Sequence, residues 1–219
     1  SFVGQYDWFC EYQHLTQKDD GWRKNRALNR AILAANNDWL IFIDGDCVVH
    51  RRFVEMHLRY AKPNRILLGR RVKLLKAITE KIMNGTIALS KIGCAMVRYL
   101  FVSGAKQVED GIFIPLFLNR EIHKASRLIG CNMSFSKETI MSINGFDEDY
   151  IKPCVGEDSD INWRFKAMGY EFYSVRNRAI LYHLYHKENW VEFSENKAII
   201  KQKQIVGKVQ CERGINLHK

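Results

Sequence analysis

The sequence predicts an α/β fold, and three observations carry that expectation. Residues 22–35 (WRKNRALNRAILAA) place Ala27, Leu28, Ala31, Ile32 and Ala35 on one side of an amphipathic helix. A polar break, Asn36-Asn37-Asp38, leads into Trp39-Leu40-Ile41-Phe42-Ile43, a continuous apolar run that reads as a strand buried on both faces. That run ends in Asp44-Gly45-Asp46, so helix, break, strand and polar strand-end turn follow one another as in half of an α/β unit.

Composition agrees with one folded core. The 219 residues are 47% hydrophobic and 26% charged with only 3 Pro, which excludes a disordered, collagen-like or low-complexity chain. The six cysteines are widely spaced with no C-x-x-C pair, in a chain too large to need disulfide staples. Free thiols in a reducing compartment are expected. Arg98 interrupts the apolar run from Ile92 to Val102, and no stretch reaches the about 20 residues of a spanning helix. No basic-then-apolar leader is visible, and a cytoplasmic location is expected.

The other elements follow in order. Arg52 to Tyr60 reads as a helix closed by Lys62-Pro63-Asn64, and Arg65 to Leu75 holds a short strand around Ile66-Leu67-Leu68. Ala77 to Gly104 is helical and basic, whereas Gly111 to Leu118, with Pro115 at its centre, is a loop, strand edge or surface-seeking segment. Leu128 to Ser136 suggests a strand, Lys137 to Ile143 a short helix and Asn144-Gly145 a turn. Ser159 to Met168 is a helix stopped by Gly169. Phe172 to Val175 and Ala179 to Tyr182 are candidate strands, and Glu192 to Val209 is a Lys-rich terminal helix.

Three constellations carry chemistry. Asp44 and Asp46 stand at the carboxyl end of a strand, where open α/β sheets bind ligands, and hard oxygen ligands of this kind suit Mg²⁺ or Mn²⁺. Gly45 between them lets a ligand approach the backbone, although Asp and Gly also serve plain turn chemistry. Glu157-Asp158-Ser159-Asp160 follows Gly156 and opens a helix; a cap needs one acid, and the surplus fits a cation or a proton-transfer task. His183 and His186 in Tyr182-His183-Leu184-Tyr185-His186 could ligate a metal or simply pack. Taken together, the three are the parts of a divalent-metal phosphate site.

In this order the residues resemble the GT-A-fold glycosyltransferases of family 2, including bacterial polysaccharide members with a galactosyltransferase C-terminal-like module. Asn25 to Ala31 followed by Asp38 to Asp46 looks like the family's helix, strand and DxD signature. Gly130 to Phe135, Asn144 to Glu148 and Gly156 through Arg164 look like its acceptor-side motifs, and His183 to His186 like its closing histidine segment. The resemblance implies a Rossmann-like mixed sheet flanked by helices. It also implies an N-terminal truncation, because the strands that usually hold the nucleotide base would come before this chain's start.

The resemblance further implies a nucleotide-sugar donor, with UDP as the family expectation, and a saccharide or lipid-linked saccharide acceptor. Asp44, Asp46 and His183 would hold Mn²⁺ or Mg²⁺, with His186 behind them. Arg26, Asn29, Asp44, Gly45 and Asp46 would contact the nucleotide-sugar, Asp158 would be the general base, and Asn132, Glu157, Trp163 and His186 would face the acceptor.

Residues 51–130 hold 16 Lys and Arg against 5 Asp and Glu, so the whole surplus of the +10 chain is regional. Residues 62–126 are accordingly expected as a basic amphipathic insertion in a single domain whose core is 1–61 and 127–190, with a terminal helix over 191–219. Its basic face would rest on anionic lipid at the inner side of a membrane, or be an ordinary solvated face. Two other classes fit part of the pattern. A haloacid-dehalogenase-like phosphatase would use Asp44 as nucleophile and Asp46 as acid. A basic nucleic-acid-binding module would fit the charge and leave the acid clusters without a task; no nucleic-acid partner is expected.

Overall fold

The structure is a computed structural model and describes residues 3–5, 7–93, 107–114, 127–153, 155–187 and 192–219. Helix α1 (Lys24–Ala34) leads into strand β1 (Trp39–Phe42), then β2 (Cys47–Val49), helix α2 (Phe53–Tyr60), β3 (Arg65–Leu68), β4 (Arg70–Lys73) and α3 (Lys76–Met83). The second half holds β5 (Met133–Ser136), α4 (Lys137–Ser142), α5 (Asp158–Ala167), β6 (Glu171–Ser174), β7 (Ile180–His183) and α6 (Ser194–Val206).

The strands form two mixed sheets. The larger has the order β1-β5-β3-β6, antiparallel except for the β3–β6 pair, and the smaller has the order β2-β7-β4, with β4 and β7 parallel. Only Gly69 separates β3 from β4, so the chain changes sheets there. A Cβ on Gly69 would come within 1.9 Å of the Asn132 amide, which is why the crossing needs a residue without a side chain.

Period-two alternation divides β1 between two apolar cores. Leu40 and Phe42 pack with Ile32, Phe135, Phe146 and Phe165, while Trp39 and Ile41 pack with Phe53, Met56, Tyr173 and Leu181. Helices therefore cover both faces of the larger sheet, as the α/β pattern predicts.

Several boundaries differ from the sequence expectation. β1 packs on both faces but is an edge strand among the described residues, so only Leu40 is buried and Ile43 is exposed. The expected insertion over 62–126 supplies two strands of the sheets: β3 is central and buried at every residue, because Ile66, Leu67 and Leu68 fill both cores. The single strand expected between Arg65 and Leu75 is two. Of the strand expected from Leu128, only Met133–Ser136 is regular, and residues 128–132 form a loop closed by Asn132 N–H on the Ile129 carbonyl.

The basic helix expected to Gly104 ends at Met83, and residues 94–104 and 115–118 lie outside the described residues. The terminal helix ends at Gly207, in left-handed conformation at φ 69°, and the tail returns to bury Ile215 against the α1 side of the core. Cys10, Cys47, Cys131 and Cys211 are free thiols. No helix among the described residues is long and apolar enough to cross a membrane.

Candidate active site

The turn after β1 is held tightly before any side chain acts. Cys47 N–H donates to the Asp44 carbonyl, β2 then pairs Cys47 with His183, and Leu184 N–H donates 2.9 Å to the Asp46 carbonyl. The backbone thus fixes Asp46 beside the end of β7. Its Oδ2 lies 3.5 Å from His183 Nε2 and 3.4 Å from His186 Nε2, and the three ligand atoms fall within 4.8 Å of one another.

The imidazole tautomers suit a cation. His183 Nδ1 is 3.0 Å from the Leu184 carbonyl and His186 Nδ1 3.2 Å from that of Lys187. A carbonyl only accepts, so each Nδ1 carries a hydrogen, and each Nε2 is the ring nitrogen left to serve as a metal ligand beside Asp46. One carboxylate and two imidazoles so arranged are a fitting donor set for a divalent metal.

Asp44 faces the other way. Lys24, the first residue of α1, places Nζ 2.9 Å from Asp44 Oδ1 and 2.7 Å from Glu157 Oε1. Its neighbour Asn25 is buried and donates to the Asp147 and Gly156 carbonyls at 2.6 and 2.8 Å. The first turn of α1 therefore ties the Asp-Gly-Asp turn to the acid loop before α5. Burial pushes the Glu157 carboxyl up, against the Lys24 ammonium that pulls it down. Burial also works against the Lys24 ammonium, but Glu157 and Asp44 outweigh it and raise its pKa.

The acid loop is clamped from behind. Asp160 is buried; its Oδ1 accepts from Tyr150 O–H at 2.9 Å and Trp163 Nε1–H at 3.1 Å, and its Oδ2 is 2.6 Å from Arg164. Gly156, at φ 110°, passes so close to Tyr150 that a Cβ would lie 2.1 Å from the ring. In front, Gly130 N–H is 3.4 Å from Asp158 Oδ2, and a Cβ on Gly130 would lie 2.3 Å from Glu157 Oε1. Glu157 and Asp158 are thus half-buried and edge the loop, while Asp160 is structural.

The residues predicted from sequence divide accordingly. Asp46, His183 and His186 come together, with Asp44, Glu157 and Asp158 alongside. His186, expected at the acceptor and behind His183 at the metal, stands in the cluster, and Asp44, expected at the metal and the nucleotide-sugar, pairs with Lys24. Gly45 has open space over its Cα. Asn29, expected at the nucleotide-sugar, is fully buried, exchanges hydrogen bonds with Phe146 and reaches Glu148. Arg26 is a surface residue 3.9 Å from Asp20. Asn132 is also fully buried, with its amide on the Arg70 and Ala179 carbonyls and its oxygen toward His57. Trp163 is half-buried with its indole N–H committed to Asp160. Polar side chains whose hydrogen bonds are spent in the core have none left for substrate.

Sequence reasoning missed Lys24. The available signal was its sign, since a cation in the first turn of a helix opposes the dipole and needs another reason to be there. His57 was missed as well. It is buried on α2 between Asn132 and Ser134, and its pKa is lowered to about 4, chiefly by burial.

The fold and the cluster define an α/β enzyme with a carboxylate–histidine site at the carboxyl end of a strand. Comparison with protein families takes this further. Residues 6–115 match the model described as glycosyl transferase family 2, and residues 119–187 match the one described as the N-terminal domain of galactosyltransferase. The first match covers half of the chain, and the chain belongs to glycosyltransferase family 2. Comparison with curated proteins gave no match. The mixed α/β architecture is consistent with the GT-A fold, the enzyme is a glycosyltransferase, and its family implies a nucleotide-sugar donor and a sugar acceptor. The phosphatase and nucleic-acid readings give way to this assignment.

Proposed function

We propose that the enzyme moves a sugar, with inversion, from a UDP-sugar to a saccharide or lipid-linked saccharide acceptor in surface polysaccharide synthesis. One observation carries this reading: the Asp46–His183–His186 cluster and the Glu157–Asp158 pair are joined through Asp44 and Lys24 at the carboxyl end of β1.

Asp46, His183 and His186 would hold Mn²⁺ or Mg²⁺, and two imidazoles beside one carboxylate favour Mn²⁺. A divalent ion held by these residues would supply charge neutralisation to the donor's diphosphate. Asp158 is the general base: its Oδ2, aligned by Gly130 N–H, takes the proton of the acceptor hydroxyl as that oxygen attacks the anomeric carbon. Glu157, held by Lys24, accepts from neighbouring acceptor hydroxyls. The basic stretch from Lys62 to Lys106, with ten Lys and Arg against one Glu, supports peripheral binding to anionic lipid at the cytoplasmic face.

A donor panel tests the reading. With Mn²⁺ present, nucleoside diphosphate should be released from one class of nucleotide-sugar, and chelation should stop it. Equal release after chelation, or release of inorganic phosphate from a generic phosphomonoester, would contradict it. Flotation with liposomes should depend on anionic lipid; flotation indifferent to lipid charge removes the membrane contact.

A further inference from the structure

A cavity of about 290 Å³ lies at the end of the larger sheet away from the Asp44–Asp46 turn. Its lining comes from the places where strands begin or end: Asp38 and Trp39 at the start of β1, Ser136 at the end of β5, Asn64 before β3 and Tyr170 before β6. The registers set Trp39 opposite Ser136 and Arg65 beside Glu171, so these ends lie level with one another. β1 rises about 3.3 Å per residue from Trp39 to Phe42, which puts roughly 10 Å or more between the cavity and the Asp-Gly-Asp turn.

The polar groups around this cavity are unspent. Among the described residues, the side chains of Asp38, Lys62, Asn64 and Glu138 make no hydrogen bond and no ion pair. The Ser142 hydroxyl donates 2.8 Å to the Thr139 carbonyl. The hydrogen between Ser142 Oγ and the Tyr170 hydroxyl, 2.8 Å apart, therefore belongs to Tyr170, whose oxygen keeps a lone pair for a further donor. Trp39 and Pro63 supply apolar wall beside these groups.

Size and charge select the ligand class. Small-molecule sites run from roughly 300 to 1,000 Å³, so a cavity at the low end takes one or two sugar-sized rings and excludes a whole nucleotide-sugar. Two carboxylates against one ammonium leave the rim net negative, which disfavours phosphates and other anions. A neutral sugar offers what the lining lacks: hydroxyl hydrogens for Asp38, Glu138 and Tyr170, hydroxyl oxygens for Lys62 and Asn64, and a C–H face for the indole of Trp39.

We propose that this cavity is a second saccharide site, which binds a neutral sugar unit of a glycan at the end of the sheet opposite the metal cluster. It stands apart from the reading given under Proposed function, since it needs neither the cation nor Asp158. Both sites are open to occupancy at once, because a sugar at Asp38 and Glu138 touches no residue of the Asp46–His183–His186 cluster.

Calorimetric titration of the whole chain with cellobiose, lactose and N,N′-diacetylchitobiose, up to millimolar concentration and without Mn²⁺, tests this. At least one of the three should bind. Asp38 and Glu138 are exposed, so Asp38→Ala combined with Glu138→Ala should leave thermal unfolding nearly unchanged and weaken the sugar by about tenfold or more; Tyr170→Phe should weaken it less. Saturating Mn²⁺ with inorganic pyrophosphate should leave sugar affinity as it was. Failure of all three sugars to bind, or binding equal to wild type in the double variant, overturns the site. Loss of the sugar in Asp158→Asn, or its displacement by Mn²⁺ with pyrophosphate, overturns it by placing the sugar at the transfer site. Sugar binding that persists where wild type binds no Mn²⁺ upholds this site and counts against the metal reading alone.

Discussion

The ammonium of Lys24 stands 2.7 Å from the carboxylate of Glu157, and the same nitrogen holds Asp44 at 2.9 Å. One cation thereby sets the spacing between the DxD turn and the acid loop. Lys24→Met removes the link and leaves two carboxylates to repel one another. A displacement on the ångström scale at a reacting centre costs about a hundredfold in rate. Steady-state kinetics should therefore show kcat/KM reduced by roughly ten- to a hundredfold, with Lys24→Arg retaining more than Lys24→Met.

Gly130 tests the acid pair from the opposite side. Gly130→Ala aims a methyl group at Glu157 Oε1, 2.3 Å from where its Cβ would sit. The obstructing atom is the end of a flexible side chain, so it moves at little cost to folding. Thermal unfolding should be nearly unchanged while kcat falls by roughly tenfold or more.

Two acids two residues apart should respond in opposite ways. Asp160→Ala leaves Arg164 buried and unpaired and removes the acceptor of Tyr150 and Trp163, so urea unfolding should show a loss of about 3–5 kcal/mol. Asp158→Asn should leave stability nearly intact and abolish transfer, with nucleotide binding retained.

His57 gives the fold an acid-sensitive point. Asn132 spends both amide hydrogens on carbonyls, so its oxygen accepts from His57 Nε2–H, and His57 Nδ1 accepts from the Ser134 hydroxyl. The imidazole is neutral in the fold, with its pKa lowered from 6.5 to about 4 chiefly by burial. Its contribution is fully present above the unfolded-state value near 6.5 and is lost as pH falls through the folded value near 4. Chemical denaturation from pH 7 to 4 should show up to about 3 kcal/mol of loss from this group, and His57→Gln should flatten that part of the profile.

The parts of the molecule legible in the sequence were those with local causes. The amphipathic repeat of α1, the apolar run of β1 and the acids flanking Gly45 and Gly156 each announce themselves within a few residues. β2 and β4 did not: each is three or four residues long and exists because β7 lies between them, a pairing across more than a hundred positions. From sequence alone, Asn29 and Asn132 suggest ligand contacts because an amide in a motif offers hydrogen bonds. Only the fold shows that Phe146, Arg70 and Ala179 consume them. The Lys24–Asp44 pair was hidden for a similar reason, since Lys24 is twenty residues away in another element.

The most direct test is Mn²⁺ titration of wild type beside Asp46→Ala, His186→Ala and Asp44→Asn, read by calorimetry. Loss of the Asp46 or His186 ligand should weaken Mn²⁺ by at least roughly tenfold, while Asp44→Asn stays within about threefold of wild type. Undiminished binding in His186→Ala, or a loss in Asp44→Asn as large as in Asp46→Ala, would contradict a cation held by Asp46, His183 and His186.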